Sequence, residues 1–224
     1  MRHRRETWKS QLMNDNWTTK PTDRFVLKWI KQNLSARITP RLIHVEWLRP
    51  WMITLCASSI GVLAGLIFAL GRPFAAGCFS AFAQVMDGVD GQFSRITGLE
   101  SKGGAFLDSV LDRYSDTALM IGMVVYLITL PAALPIWLLL VIGFFALCGS
   151  TLISYSTARA ESLGIDLGSP TLASKGTRTT VIVFSAWLSV LWPSAPLAAL
   201  IYLAAHPNFV IVSRLLKAGR YSSK

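Results

Sequence analysis

The sequence predicts an all-α membrane protein with six transmembrane helices and an N-terminal amphipathic helix at the lipid interface. Of its 224 residues, 52% are hydrophobic and only 15% are charged, whereas soluble domains carry about 25% charged residues. The apolar residues form runs of about 20, the length that crosses a bilayer. The formal net charge is +10, and eleven of the 22 basic residues precede residue 50. Basic charge that flanks apolar runs favours a membrane surface and argues against a nucleic-acid partner.

Residues 1–49 are predicted to form a basic cytoplasmic arm, at 1–20, and a juxtamembrane helix from Asp23 to Ser35. The helix has a polar face and an apolar face, made respectively of Arg24, Lys28, Lys31, Gln32 and Ser35, and of Phe25, Val26, Leu27, Trp29, Ile30 and Leu34. Such a helix either lies in the lipid interface or packs its apolar face on the protein, and the sequence favours neither. The first long apolar run begins at Trp51, which is too late for a cleaved signal peptide.

Residues 50–213 are predicted to form the six-helix membrane domain, followed by a basic cytoplasmic tail at 214–224. The helices are expected at 51–70, 74–93, 105–128, 133–154, 179–195 and 197–213. In the short breaks after the first, third and fifth helices, Arg72 is the single basic residue. Because basic residues stay on the cytoplasmic side during insertion, both termini and both longer loops are expected in the cytoplasm.

Acidic residues are concentrated around the predicted second and third helices. Six of the twelve in the chain lie within this region, as Asp87, Asp90, Glu100, Asp108, Asp112 and Asp116. Their three- and four-residue spacing makes Asp87 and Asp90 share one helical face, and Asp108 and Asp112 share another. The two helices are joined by a short loop, so we expect them to be antiparallel neighbours with the carboxylates facing each other. Carboxylates this close repel one another strongly at low dielectric and require compensating positive charge.

Divalent cations would supply the positive charge that these carboxylates require. Hard oxygen ligands select Mg²⁺, Mn²⁺ or Ca²⁺, and two ions would suit four carboxylates. Two alternatives remain open: simple ion pairs with Arg95 and Arg113, or an intramembrane cation or proton pathway in a transporter. Flanking glycines allow a ligand to approach the backbone, and with Arg95 they favour a di- or polyphosphate; these glycines are Gly88, Gly91, Gly103 and Gly104.

The residues around these acids resemble the motif of the CDP-alcohol phosphotransferase family. That motif reads D-x-x-D-G-x-x-A-R, a spacer of eight or more residues, then G-x-x-x-D-x-x-x-D. The matching positions here are Asp87, Asp90, Gly91, Arg95, Gly104, Asp108 and Asp112, and Ser94 replaces the usual Ala. Six helices with the motif across the second and third are also similar to this family, so the resemblance covers about residues 40–213.

The resemblance implies a role for each matched residue. Two divalent ions, Mg²⁺ or Mn²⁺, would be held on the pyrophosphate of a CDP-linked donor by Asp87, Asp90, Asp108 and Asp112. Asp112 would also be the catalytic general base, which takes the proton from an acceptor hydroxyl as that hydroxyl attacks the β-phosphorus and CMP leaves. The CDP site would be lined by Gly91, Arg95, Ser101 and Gly104. Cytidine and the alcohol acceptor are implied by the resemblance alone.

Two positions need separate interpretation. Family members often carry Pro-Asn or Pro-Asp followed by Thr at the start of the first helix. Here Pro50 and Thr54 fit that pattern, but Trp51 replaces the polar residue and weakens one expected nucleotide contact. Asp116 extends the acidic series by another helical turn, and we expect it to be a structural partner of Arg113.

The acceptor is expected to be a polyol or a polyol phosphate. The stretch 154–161 is similar to a segment of phosphatidylinositol-phosphate synthases, and a basic pocket for a phosphorylated polyol is predicted from Arg159, Lys175 and Arg178. The alternative is that these three are ordinary anchors on the cytoplasmic side. Thr157 weakens the pocket, because the inositol-phosphate enzymes usually have a basic residue there.

The preferred donor is CDP-diacylglycerol or a similar lipid, because a membrane-embedded site admits lipid sideways. The alternative donor is CDP-inositol, since the segment 20–23 before an amphipathic helix resembles the di-myo-inositol-phosphate-phosphate synthases. Those proteins are often fused to a cytidylyltransferase, which here would be a separate protein. The resemblance also implies a homodimer in the plasma membrane of a prokaryote, with a cytoplasmic active site and a role in phospholipid biosynthesis.

Overall fold

The computed structural model describes residues 17–19, 25–131, 134–166 and 173–219, and within these ranges its regular structure is entirely helical. This confirms the predicted all-α class. Most of the predicted basic arm, the start of the juxtamembrane helix and the end of the tail lie outside the described residues. In chain order the elements are α1 (Phe25–Ile30), a π-helical segment (Lys31–Ser35), α2 (Ala36–Leu42), α3 (Pro50–Ala69), α4 (Pro73–Thr97), α5 (Lys102–Thr129), α6 (Ile136–Leu163), α7 (Lys175–Leu188) and α8 (Ala195–Gly219).

Three of these helices, α3, α6 and α8, are long and apolar enough to cross a membrane. At 20, 28 and 25 residues they extend about 30–42 Å, since an α-helix rises about 1.5 Å per residue. The acidic residues that the sequence highlights lie on α4 and α5, and they lower the hydropathy of both helices. The structure is therefore compatible with an integral membrane protein, and the predicted count of six spans remains a prediction.

Several helix boundaries differ from the predicted ones. α6 continues past the predicted end at 154 to Leu163. The prediction stopped earlier because hydropathy marks only where the apolar sequence ends, and a helix can extend beyond that point. α6 ends at Gly164, whose φ of 68° is in the left-handed region that glycine adopts readily. α7 ends at Leu188, before the predicted 195, because the chain turns through residues 189–194, where Pro193 has no N–H for a helical hydrogen bond.

The central helix α3 packs along both α4 and α5, while α6 packs on α8, and α7 contacts α4 and α8. The closest approach is between α3 and α5: a Cβ atom added at Gly122 would overlap the carbonyl of Gly65, and one added at Gly65 would overlap the carbonyl of Ala118. Phe68 and Met123 are fully buried beside this contact. This packing lies in the C-terminal half of α5 and aligns the helix with α3, and the aspartates lie on the N-terminal half of the same helix.

The N-terminal helices contact the rest of the protein at two places: α1 contacts α7, and the π-helical segment and α2 pack on α4. The face turned to α4 includes polar residues that recur every four positions and are buried: Lys31, Ser35 and Thr39. Several large apolar side chains remain exposed, namely Val26, Trp29 and Leu34. Apolar residues contribute as well, since Leu27 lies against Gly176 of α7, and Ile38 and Leu42 pack on the buried cluster that includes Val89. Polar and apolar residues together therefore make the contact with the protein.

We predict that Gly122→Ala destabilises the protein by about 1–3 kcal/mol, because the new methyl group overlaps backbone that cannot move aside. The matched control is Gly103→Ala, since a Cβ at Gly103 meets nothing within 4 Å. Thermal unfolding of the two variants in detergent measures the difference. A Gly122→Ala protein that unfolds at the wild-type temperature would contradict the close α3–α5 contact.

Candidate active site

Three of the four predicted metal ligands meet between α4 and α5. Asp87, Asp108 and Asp112 each offer one carboxylate oxygen, and these oxygens all lie within 4.8 Å of one another. Ser101 caps the start of α5, the helix that carries Asp108 and Asp112, by accepting a hydrogen bond from the backbone N–H of Gly104 at 3.0 Å. The structure thus brings together the carboxylates that the sequence spacing placed on facing helices, and we call these three residues the carboxylate cluster.

The fourth predicted ligand, Asp90, is held by a residue of α3. Its carboxylate is buried, and Oδ2 accepts a hydrogen bond from the Thr54 hydroxyl at 2.7 Å. A hydrogen bond that a carboxylate accepts limits its rotation. Thr54 therefore orients Asp90 towards the space between α3, α4 and α5.

Lys175 supplies positive charge directly to the carboxylate cluster. It is the first residue of α7, and its Nζ donates to Asp87 Oδ1 at 2.8 Å and to Asp112 Oδ1. All three side chains are less than one-third exposed, so their attraction is screened less than on an open surface. The sequence pattern indicates a separate acceptor pocket for Lys175. It does not indicate this ion pair, because Lys175 lies far from Asp87 and Asp112 along the chain.

The carboxylate cluster fits a divalent ion of the Mg²⁺ and Mn²⁺ class. It presents only hard oxygen donors, and their mutual separation of 4.8 Å or less can be closed around an ion with ligands at about 2.0–2.6 Å by small side-chain movements. Arg113 Nη2 lies 4.0 Å from Asp112 Oδ2 and adds a second cation beside Lys175. The oxygen donor set has the chemistry to hold such an ion.

A cavity of about 500 Å³ adjoins the carboxylate cluster. Its wall includes all four residues predicted to contact CDP, together with two aspartates: Gly91, Arg95, Ser101, Gly104, Asp90 and Asp108. Thr54 and Asp108 also line a second cavity of about 40 Å³ that contains Asp87, Asp112 and Lys175. The larger volume is in the range of small-molecule sites, about 300–1,000 Å³, and Trp51 forms part of its wall.

Asp116 pairs with the cation that the sequence predicted and with a second one. Its Oδ2 lies 3.5 Å from Arg113 Nη1 and 2.9 Å from Arg178 Nη2. Arg178 is 1% exposed and also donates to the carbonyl of Ala173 at 2.6 Å. The predicted pairing of Asp116 with Arg113 is confirmed, and the buried pair with Arg178 ties α5 to the start of α7.

The three residues predicted to bind the acceptor occupy different environments. Lys175 contacts the carboxylate cluster, Arg178 is buried against Asp116, and Arg159 lies on the exposed end of α6 with Ser162 Oγ at 3.4 Å.

Two other arginines contact the same end of α6, and the sequence pattern does not predict either contact. Arg214 Nη1 donates to Ser156 Oγ at 2.5 Å and to Thr157 Oγ1 at 3.0 Å. Arg113 Nη1 donates to Ser154 Oγ at 2.6 Å. The sequence signal for Arg214 was only that it follows the last predicted helix by one residue, which does not indicate a contact with α6.

The fold and the site define a helical protein, compatible with a membrane, in which carboxylates suited to a divalent ion adjoin a nucleotide-sized cavity. The chain belongs to the CDP-alcohol phosphatidyltransferase family, whose model matches residues 47–212. This is the family that the motif indicated, and its members are transferases. The match includes the carboxylate cluster, the larger cavity and Lys175.

Individual relatives come from bacteria and archaea. The chain is 30% identical over 198 residues to the phosphatidylinositol phosphate synthase of Mycobacterium tuberculosis, which covers 84% of this chain and 89% of that protein. It is 34% identical over 137 residues to a bifunctional IPC transferase and DIPP synthase of Aquifex aeolicus, covering 61% of this chain. The chain spans only 30% of the length of that bifunctional protein.

Solved structures of the Mycobacterium tuberculosis phosphatidylinositol phosphate synthase are also similar. A crystal structure with CDP-DAG bound superposes with a TM-score of 0.71 and 27% identity, covering 81% of this chain and 92% of that chain. A second, in complex with manganese and citrate, has the same TM-score and identity and covers 87% of that chain. The neighbouring protein thus binds both a CDP-linked lipid and a divalent metal.

We predict that Lys175→Met lowers the unfolding temperature of protein kept in chelator, because Asp87 and Asp112 lose their shared counter-charge. An unpaired buried charge costs up to about 3–5 kcal/mol, and partial exposure here reduces that cost. Added Mn²⁺ should then stabilise Lys175→Met more than the wild type, since no ammonium competes for the carboxylates. The control is Lys217→Met, which alters an exposed lysine. Equal stabilisation by Mn²⁺ in all three proteins would contradict this role.

Proposed function

We propose that this protein transfers a phosphatidyl group from CDP-diacylglycerol to a hydroxyl of a polyol or polyol phosphate and releases CMP. The observation that carries the proposal is that the carboxylate cluster is adjacent to the cavity of about 500 Å³, since Thr54 and Asp108 line both this cavity and the smaller one at the cluster. A phosphoryl-transfer site requires this arrangement, because the ion-binding groups must reach the same phosphates that the cavity holds.

In this proposal the larger cavity binds the CDP portion of the donor. The Arg95 guanidinium pairs with the phosphates, and the backbone at Gly91 and Gly104 allows them to approach closely. Ser101 lies at the start of α5 on the same wall. Trp51 presents an aromatic surface where relatives often have a polar residue, so the nucleotide contact at this position is expected to be apolar.

Asp112 is the proposed general base. Its carboxylate takes the proton from the acceptor hydroxyl while the hydroxyl oxygen forms a bond to the β-phosphorus and the bond to the CMP oxygen breaks. Lys175 donates to Asp112 Oδ1, and Arg113 Nη2 lies 4.0 Å from Asp112 Oδ2. These two cations hold the carboxylate in position. Divalent ions bound by Asp87, Asp90, Asp108 and Asp112 would supply the positive charge that stabilises the pyrophosphate and the departing CMP.

The acceptor is proposed to bind near the C-terminal end of α6. Arg159, Lys175 and Arg178 remain the candidate residues from the sequence, and Arg214 adds a guanidinium beside Thr157. This arginine brings a basic group to the position where phosphatidylinositol-phosphate synthases usually carry one in the helix itself. The arrangement supports a phosphorylated acceptor over an uncharged one.

The alternative donor is CDP-inositol. The observation that favours it is the 34% identity to the bifunctional IPC transferase and DIPP synthase. The observation that favours a lipid donor is the similarity, over more of both chains, to a synthase solved with CDP-DAG bound. We therefore give CDP-diacylglycerol first place and include both donors in the test.

We further propose six membrane spans, with both termini and the active site on the cytoplasmic side of a prokaryotic cell membrane, and a homodimer. α4 and α5, at 25 and 28 residues, are long enough to cross. α7 has 14 residues, and it would cross only together with the turn at 189–194 that follows it. Basic residues lie at the active-site ends of the helices, as cytoplasmic ends require. The exposed Val26, Trp29 and Leu34 suit a juxtamembrane helix in the lipid interface.

We predict metal-dependent CMP release from one donor and acceptor pair. Purified protein with Mg²⁺ or Mn²⁺ would be tested with CDP-diacylglycerol and CDP-inositol, each combined with inositol 1-phosphate, glycerol 3-phosphate, inositol and serine. The expected product is CMP from CDP-diacylglycerol and a phosphorylated polyol, and chelation should abolish it. CMP from CDP-inositol alone would establish the alternative donor.

Asp112→Asn should reduce turnover by at least about 100-fold, because an amide cannot take the proton. Glu46→Gln, at an exposed carboxylate outside the site, serves as the matched control and should retain wild-type turnover. Full activity of Asp112→Asn would remove Asp112 as the base. A folded wild type that binds neither Mn²⁺ nor CDP and releases no CMP would instead favour a cation or proton transporter.

For the topology we predict that alkaline phosphatase is inactive when fused after Lys224 and active when fused after Ser194. With six spans and a cytoplasmic N-terminus, the first fusion point is cytoplasmic and the second is outside. With the three most apolar spans alone, a cytoplasmic N-terminus would put the C-terminus outside. Phosphatase activity of the Lys224 fusion would therefore contradict six spans.

A further inference from the structure

Gln92 connects the active-site helix to the region that precedes the family match. It lies in α4 between Gly91 and Arg95, at a position that the motif leaves unspecified, and its side chain is fully buried. Nε2 donates to the carbonyl of Thr18 at 2.8 Å and to the carbonyl of Lys31 at 2.9 Å. Oε1 accepts from the Thr39 hydroxyl at 2.8 Å. Both amide protons and the amide oxygen therefore bind the N-terminal region.

Arg95, one helical turn beyond Gln92, is held by the same region. Its Nε donates to the carbonyl of Trp17 at 2.9 Å. Its terminal nitrogens lie over Gly91: they would be 3.5 and 3.9 Å from a Cβ at that position. The Trp17 carbonyl therefore fixes the Nε edge of the guanidinium, and Nη1 lies on the side of Gly91. Gly91 and Arg95 both line the larger cavity.

Hydrophobic contacts anchor the segment that supplies these carbonyls. Trp17 packs against a buried cluster that belongs largely to α4 and includes Val89, Phe93 and Ile96. The indole and the Gln92 amide thus hold adjacent residues, Trp17 and Thr18, on the same helix that carries the donor-site motif. The arginine side chain has three rotatable bonds beyond Cβ. Fixing its Nε therefore removes much of the conformational freedom that ligand binding would otherwise have to restrict.

We propose that Trp17–Thr18 forms part of the donor site and that Gln92 is a positioning residue, which holds this segment so that its backbone orients Arg95 towards the donor phosphates. The inference rests on the proposed function, because it assigns Arg95 to a CDP-linked donor. It extends that function by making residues before 47, where the family match begins, necessary for donor affinity.

The test uses full-length Gln92→Met, which keeps the side-chain length but removes all three hydrogen bonds, and Trp17→Ala, which removes the anchor. The matched control is Trp29→Ala, at a tryptophan of the same N-terminal region that is 57% exposed. CDP binding is measured by titration calorimetry with Mn²⁺ present, and donor KM, acceptor KM and kcat by CMP release. Thermal unfolding without ligand reports whether each variant is folded.

We expect both variants to weaken CDP binding and to raise donor KM about tenfold, the size of effect that one charge-assisted hydrogen bond has. Acceptor KM and kcat at saturating donor should stay within about twofold of wild type. Competition by cytidine, which has no phosphate, should be unchanged, whereas a general collapse of the cavity would weaken cytidine and CDP alike. Trp29→Ala should match wild type throughout.

Three results would overturn the inference while leaving the proposed function intact: unchanged CDP affinity in folded Gln92→Met, unchanged affinity in Trp17→Ala, or equal losses for CDP and cytidine. If Gln92→Met does not fold, Trp17→Ala decides the matter alone. A wild-type protein that binds no CDP would instead refute the proposed function, and this inference with it.

Discussion

Electrostatic repulsion among the aspartates is the constraint on which the rest of this structure depends. Asp87, Asp108 and Asp112 bring their oxygens within 4.8 Å of one another, and at reduced dielectric such charges repel steeply. Lys175 reaches across from α7 to two of them. The positions of α4, α5 and α7 are thus coupled at one point, and the same negative charge that attracts Lys175 makes the site suitable for a divalent ion.

Helix α3 provides the packing that withstands this repulsion. The face it turns to α5 is made of small residues, which permit the two backbones to approach closely. Ser58 Oγ donates to the carbonyl of Leu111 at 3.1 Å, and lies 2.9 Å from Ser115 Oγ. One turn earlier on the same helix, Thr54 bonds Asp90. Because α3 contacts both α4 and α5, it sets the distance between the two acidic helices, whose own charged faces would separate them.

The parts of the fold and site that the sequence predicted are those encoded by local periodicity. Apolar runs located the long helices, and the spacing of Asp87, Asp108 and Asp112 indicated that they face a common point. Lys175 and Arg214 acquire their partners through packing between helices far apart in the chain, for which the sequence contains no periodic signal. α6 and α8 extend further towards the C-terminus than predicted. Hydropathy marks only the apolar part of a helix, and helical hydrogen bonding continues beyond that part.

In the N-terminal helix, polar contacts determine the rotation of the helix on its neighbour, which the apolar pattern of the sequence leaves open. Its two faces allowed either orientation, and burial of apolar surface alone does not fix the rotation of a helix on its neighbour. Gln92 resolves this, because its buried amide loses hydrogen bonds in any register that moves Thr39 or the Lys31 carbonyl away. The polar face is therefore held against α4, and Trp29 and Leu34 are turned outwards, where a lipid interface would cover them. The same register places Trp17 and Thr18 beside Arg95, so the rotation of the N-terminal helix and the position of the Arg95 guanidinium depend on one set of hydrogen bonds.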